Sequence, residues 1–184
     1  MTDTAGPLLT VEDVSKSFAG LRALHQVDVA VPRGTVTGVI GPNGAGKTTL
    51  FNVIAGAMPP DSGRVVFDGT DITGLTAHRV ARAGIARTFQ NIALFRGMSV
   101  LDNILLGRHI FMRPGALPSL FYWWWAQGEE IDHRRKVEAV IDLLQLESVR
   151  DEHVDVIPLG LQKRVELARA LCAEPRLLIL DEPM

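Results

Sequence analysis

The 184-residue sequence holds one cysteine, Cys172, and one tyrosine, Tyr122, and aromatics make up only 6% of it. A lone thiol excludes a disulfide framework within the chain and fits a reducing compartment. No charge of one sign dominates: 19 Lys and Arg face 21 Asp and Glu, for a net charge of −2. That leaves no basic footprint, so no nucleic-acid partner is expected. Long hydrophobic runs are missing as well. The longest uncharged stretch, Pro114–Gly128, has 15 residues and is broken by Gly115 and Pro118, against the roughly 20 apolar residues a spanning helix needs. The first ten residues carry Asp3 and no basic segment, so they do not read as a secretion signal. His25, His78, His109, His133 and His153 are scattered without metal-ligand spacing. What remains is globular composition, 47% hydrophobic and 22% charged, enough for one domain with a sizeable core.

Patterning predicts an α/β chain. Leu8–Phe18 and Val27–Val31 alternate as strands, and Val36–Ile40 is a β-branched run bounded by glycines that suits a buried strand. Lys47–Ala57 has helical spacing, with Pro59-Pro60 beyond it, and Arg64–Phe67 is a short strand between turn signals. From Val100 to about Glu147 the period is helical, with Val137, Val140, Ile141 and Leu144 on one face. Leu161–Ala173 forms another helix, with Cys172 on its apolar side, and Leu177–Leu180 is a fully apolar strand. Strands therefore flank a helical insertion over about 91–165, with the core expected over about 1–90 and 166–184 of a single domain.

Two segments carry chemistry. Gly41-Pro42-Asn43-Gly44-Ala45-Gly46-Lys47-Thr48 matches G-x-x-x-x-G-K-[ST] between a strand pattern and a helix pattern. A phosphate chain needs several N–H donors converging on a small volume. Glycines let the backbone approach closely, and the helix start adds unpaired amides and a positive dipole end. Lys47 can reach the β- and γ-phosphates, Thr48 offers a hydroxyl to Mg²⁺, and Thr49 is a further hydroxyl nearby. The strand Leu177–Leu180 delivers Asp181 and Glu182 at its C-terminal end, where ligands bind in open parallel sheets. Asp181 can hold Mg²⁺, and Glu182 can polarise a water for attack on the γ-phosphate.

The loop, the Asp181-Glu182 strand end and the segment between them resemble the ATP-binding subunit of an ABC transporter. The resemblance implies a P-loop NTPase core with an antiparallel β N-terminal part and an α-helical subdomain, ATP and Mg²⁺ as ligands, and ATPase activity coupled to transport. It makes Ala86-Arg87-Thr88-Phe89-Gln90 the glutamine loop, with Gln90 sensing Mg²⁺ and the γ-phosphate. It makes Phe18, in Val14–Phe18, the aromatic that stacks on adenine. The family's signature L-S-G-G-Q falls at Ile157-Pro158-Leu159-Gly160-Leu161, where only Gly160 agrees outright and Pro158 replaces the serine. Contacts to an opposing nucleotide would then come from the backbone of Leu159–Leu161. That departure motivates an alternative within the family: a nucleotide-dependent switch in a soluble assembly, with weak hydrolysis. A GTPase or small-molecule kinase is disfavoured, because no N-K-x-D motif occurs.

Lys16–Leu24, Arg87–Asn91 and Leu101–His109 are similar to the ATP-binding subunits of branched-chain amino acid importers. The implied partners are membrane-spanning permease subunits, a second ATP-binding subunit and, indirectly, a solute-binding protein, at the inner face of the cell membrane. The extra stretch Ile110–Gly128 contains Phe121-Tyr122-Trp123-Trp124-Trp125, which is expected to pack on the membrane partner or at headgroup level. The apolar strand runs straight into Asp181-Glu182-Pro183-Met184, so the sequence reads as a fragment that lacks the family's later switch histidine. These 184 residues alone are therefore expected to bind nucleotide weakly and hardly hydrolyse it.

Overall fold

A computed structural model of the chain describes residues 6–88, 93–111 and 134–181. Two compact units divide it, Met1–Ile85 and Ala86–Met184.

In the first unit, strands β1 (Leu9–Phe18), β2 (Leu21–Val31), β3 (Ser62–Phe67) and β4 (Thr70–Asp71) form an antiparallel sheet in the order β2-β1-β3-β4. Central β1 pairs Leu9 with Val31 on one side and with Phe67 on the other. Its inward set is Leu9, Val11 and Val14, buried with Val65 and Phe67 of β3. The step from Val11 to Val14 breaks strict alternation because β1 carries a bulge there. Asp13 takes φ 51° and donates its N–H to Asp28 Oδ1 at 2.8 Å, which returns Val14 to the core face. Ala19 and Gly20, both at positive φ, close the β1–β2 hairpin with the primed turn that suits strand twist.

Helix α1 (Lys47–Ile54) buries Leu50, Val53 and Ile54 and lies against β2. It ends three residues before the predicted Ala57. Gly56 at φ 70° makes a left-handed stop, with Ala57 N–H on Asn52 O and Gly56 N–H on Val53 O. The prolines lie beyond an end already made. Helix α2 (Ala77–Ala83) buries Val80.

The predicted buried strand at Val36–Ile40 is corrected. The segment forms no ladder, and Val36 and Ile40 are fully exposed. A strand needs a hydrogen-bonding neighbour, and among the described residues no strand of its unit runs beside it. β2 also begins at Leu21, six residues ahead of the predicted Val27.

In the second unit, β5 (Ile85–Arg87), which opens at the boundary, and β6 (Leu177–Ile179) form a two-stranded sheet. Helix α3 (Val100–Leu105) starts at Ser99, whose hydroxyl accepts from Asp102 N–H at 3.1 Å. A 3-10 turn, Leu106–Phe111, follows it. Helix α4 covers 134–143 among the described residues, and α5 spans Leu159–Cys172. Val100 and Ile104 of α3, Val137 and Ile141 of α4, and Val165, Ala168 and Cys172 of α5 close one core with Leu146, Val154 and Ile157. The helical period read from the sequence is therefore the period that is buried. Among the described residues no helix is long and apolar enough to cross a membrane.

Candidate functional site

The Gly41–Thr48 loop feeds directly into α1. Gly46 is the residue before the helix, at φ 89°, and a Cβ there would stand 2.4 Å from the Ala23 carbonyl oxygen of β2. Only glycine fits that close approach and that dihedral. Ala45 N–H bonds Pro42 O at 3.2 Å, and Leu50 N–H bonds Gly46 O at 2.9 Å as the first turn of the helix closes. The amides of Lys47, Thr48 and Thr49 precede that bond and are the donors a helix start leaves unused. Lys47 Nζ lies back along the loop, on Gly41 O at 2.7 Å and Pro42 O at 2.9 Å. Asn43, Gly44 and Thr48 are exposed. The loop is thus an open cup, with the unused amides of the helix start at one end and one ammonium lying along its backbone.

Phe18 sits at the hairpin end of β1, 44% exposed, with Lys16 Nζ 5.9 Å from its ring centre. A core phenylalanine would be covered, whereas this ring presents a face to solvent. Lys16 is itself held by Asp61 at 2.7 Å, and that bond, with a second from Ser17 N–H, keeps the Asp61 carboxyl below its ordinary range.

Asp181 follows β6 in the second unit. It is buried, and its Oδ2 accepts from an Arg87 guanidinium nitrogen at 2.8 Å, both side chains being 6% exposed. The neighbouring Thr88 N–H reaches Ile179 O at 3.0 Å, so the end of β5 is pinned beside the end of β6. The sequence does not single out Arg87: the segment Ala86–Gln90 points to Gln90, and nothing local ties residue 87 to residue 181. Gln90, Glu182 and Trp123–Trp125 lie outside the described residues.

The signature-like loop forms the entry to α5. Pro158, at φ −56° and ψ 150°, takes the capping position without a side-chain bond, and Gly160 is exposed. Pro158 O already accepts from Leu161 N–H at 2.9 Å and Gln162 N–H at 3.0 Å. Of the three backbone donors expected there, Leu161 is therefore committed within the helix, leaving Leu159 and Gly160. Cys172 is buried on α5, and burial pushes its thiol up to about 11, the arrangement of an inert core residue.

A family model described as ABC transporter matches residues 24–184. The chain is 36% identical over 177 residues to the high-affinity branched-chain amino acid transport ATP-binding protein BraF of Pseudomonas aeruginosa, covering 96% of this chain and 69% of that protein. It is 39% identical over 186 residues to the probable branched-chain amino acid transport ATP-binding protein LivG of Methanocaldococcus jannaschii, covering all of this chain and 70% of that one. The sulfate/thiosulfate import ATP-binding protein CysA of Pectobacterium atrosepticum is 34% identical, with 95% of this chain and 49% of that protein covered. Among solved structures, a nucleotide-free ATP-binding cassette from an ABC transporter superposes with a TM-score of 0.79 at 38% identity, over 97% of this chain and 70% of that one. A dimeric cassette in a post-hydrolysis state with ADP and phosphate superposes at 0.78 with 26% identity, over 96% and 74%.

Proposed function

The chain belongs to the ABC transporter family, and from that premise we propose that it is the ATP-binding, ATP-hydrolysing subunit of an importer, powering entry of branched-chain amino acids through a membrane permease. The observation that carries the reading is the Gly41–Thr48 cup: a loop that only Gly46 can close, opening onto the unused amides of α1 with Lys47 at its rim. The branched-chain substrate draws support from the segments Lys16–Leu24, Arg87–Asn91 and Leu101–His109, and from the names of the BraF and LivG relatives. The CysA relatives, which serve sulfate and thiosulfate, make the substrate the part most in need of test.

In this reading the amides of Gly44 and Gly46–Thr49 bind the phosphate chain, and Lys47 leaves the Gly41 and Pro42 carbonyls for the β- and γ-phosphates. Phe18 stacks on the base. Thr48, Gln90 and Asp181 would hold Mg²⁺. The donor set suits that ion, which binds through one or two carboxylates and the nucleotide's own oxygens. Asp181 Oδ1 has no partner among the described residues, and Thr48 is exposed. When bound, Mg²⁺ offsets charge on the transferring phosphate. Glu182 orients the attacking water. A second ATP-binding subunit contributes the Leu159 and Gly160 amides at the start of its α5, and Gln90 reports nucleotide state to the permease. Closure is a population shift, driven by contacts that exist only when nucleotide is sandwiched. The subunit then sits peripherally at the inner membrane face, with a solute-binding protein acting indirectly.

Pro158 favours one second reading, a switch that closes on ATP and hydrolyses it poorly. One experiment addresses both. The intact transporter, with this subunit on its permease, is assembled in vesicles, and ATP turnover and solute uptake are followed with wild type and Lys47→Ala. Lys47-dependent turnover coupled to leucine uptake is the expected result. Sulfate uptake without leucine uptake would overturn the substrate, nucleotide-driven closure without turnover would favour the switch, and turnover indifferent to Lys47 would overturn the site.

A further inference from the structure

Asp181 is a buried acid, and it faces a buried cation on its own chain. Its Oδ2 takes a 2.8 Å bond from Arg87, and both side chains are 6% exposed. A carboxylate so far from water is tolerable only against a counter-charge or a metal. The backbone fixes the meeting, since Thr88 N–H holds Ile179 O at 3.0 Å and keeps the ends of β5 and β6 side by side. A guanidinium held against the carboxylate and a divalent cation bound to it compete, because each neutralises the same charge and each repels the other.

We propose that Arg87 is a positioning residue that serves as the internal counter-cation of Asp181 when no metal is bound, and that it sets how much Mg²⁺ the site needs by competing for that carboxylate. This rests on the reading of Asp181 as the metal carboxylate. Arg87 stands three positions before Gln90 in the sequence, so release of its side chain acts on the same segment that the proposed function makes the reporter to the permease.

Binding of a fluorescent ATP analogue to the chain, titrated with Mg²⁺ from an EDTA-stripped start, tests it in wild type, Arg87→Gln, Arg87→Lys and Asp181→Asn. Removing the competing charge lowers the half-saturating Mg²⁺ about tenfold in Arg87→Gln, within the range over which groups neighbouring a ligand tune metal affinity. Arg87→Lys keeps the charge as a compact point donor and falls between the two. In EDTA, Arg87→Gln melts below wild type, and saturating Mg²⁺ with the analogue restores most of the loss, because the metal replaces the missing counter-charge. Asp181→Asn abolishes the Mg²⁺ dependence. Should Arg87→Gln fail to fold, Arg87→Lys alone decides, and a midpoint equal to wild type overturns the proposal. An unchanged midpoint in Arg87→Gln, with the dependence lost in Asp181→Asn, overturns the role of Arg87 and spares that of Asp181. An Mg²⁺ dependence that survives Asp181→Asn overturns the reading of Asp181 itself.

Discussion

Lys47 bonds the carbonyl oxygens of Gly41 and Pro42, at 2.7 and 2.9 Å, so the loop's single cation is folded onto the loop's own backbone. Those carbonyls are exposed and water can take over their bonds. Lys47→Ala is therefore expected to shift thermal stability by no more than about 1 kcal/mol, while nucleotide affinity falls about 10- to 100-fold, the worth of a charge-assisted bond. Calorimetric titration with ATP beside a thermal melt separates the two effects.

Gly46 and Gly56 lie at the two ends of α1 and form a matched pair. Each has positive φ, and an added Cβ would come within 2.4 Å of Ala23 O or 2.6 Å of Leu75 O. Alanine at either is expected to cost about 2–4 kcal/mol, from a left-handed dihedral plus a steric clash. Nucleotide binding distinguishes them. Gly56→Ala retains affinity at a temperature where it is folded, and Gly46→Ala loses it, because only Gly46 shapes the cup. Equal retention in both would count against the cup.

Pro158→Ser restores a hydroxyl at the start of α5. A serine cap contributes about 1 kcal/mol to a helix, offset by the chain entropy that proline removes from the unfolded state, so the melting temperature should hardly move. If α5 faces nucleotide across a dimer, the hydroxyl adds a bond to the γ-phosphate. ATP turnover of the assembled transporter then rises about tenfold. Unchanged turnover would mean that the Leu159 and Gly160 amides already suffice.

Cys172 has a thiol pushed up to about 11, with burial as the main cause. Its folded value lies above the unfolded value of 9.0. Its contribution to stability is therefore complete below pH 9 and lost as pH rises toward 11. At pH 8 the native thiol is expected to resist alkylation, and to react at the rate of a free thiol in denaturant. A thiol-modification time course measures this, and rapid native labelling would contradict the burial.

Much of this architecture can be read from local pattern. Leu9, Val11, Val65 and Phe67 keep the two-residue period of strands, and Val165, Ala168 and Cys172 keep the helical one, so β1, β3 and α5 were legible. The first half of β2 escaped notice because its residues are mostly exposed, and Gln26, at φ 48°, breaks the alternation before Val27. Val36–Ile40 misled for the opposite reason: its composition suits a strand, but a ladder also needs a neighbour. At the site, the phosphate loop announces itself within eight contiguous residues, Gly41–Thr48. The Arg87–Asp181 pair joins positions 94 apart, and no periodicity carries that information.

Glu174, just beyond α5, receives Arg108 from the 3-10 turn at 3.1 Å and Lys136 from α4 at 2.7 Å, both on the same Oε1. The hydrogen bond from Lys136 is the main reason its carboxyl lies below the ordinary glutamate range. A single carboxylate oxygen thus fastens the 3-10 turn, α4 and the residues just past α5 to one another. Removing that one negative charge would leave two cations facing each other and loosen three elements at once.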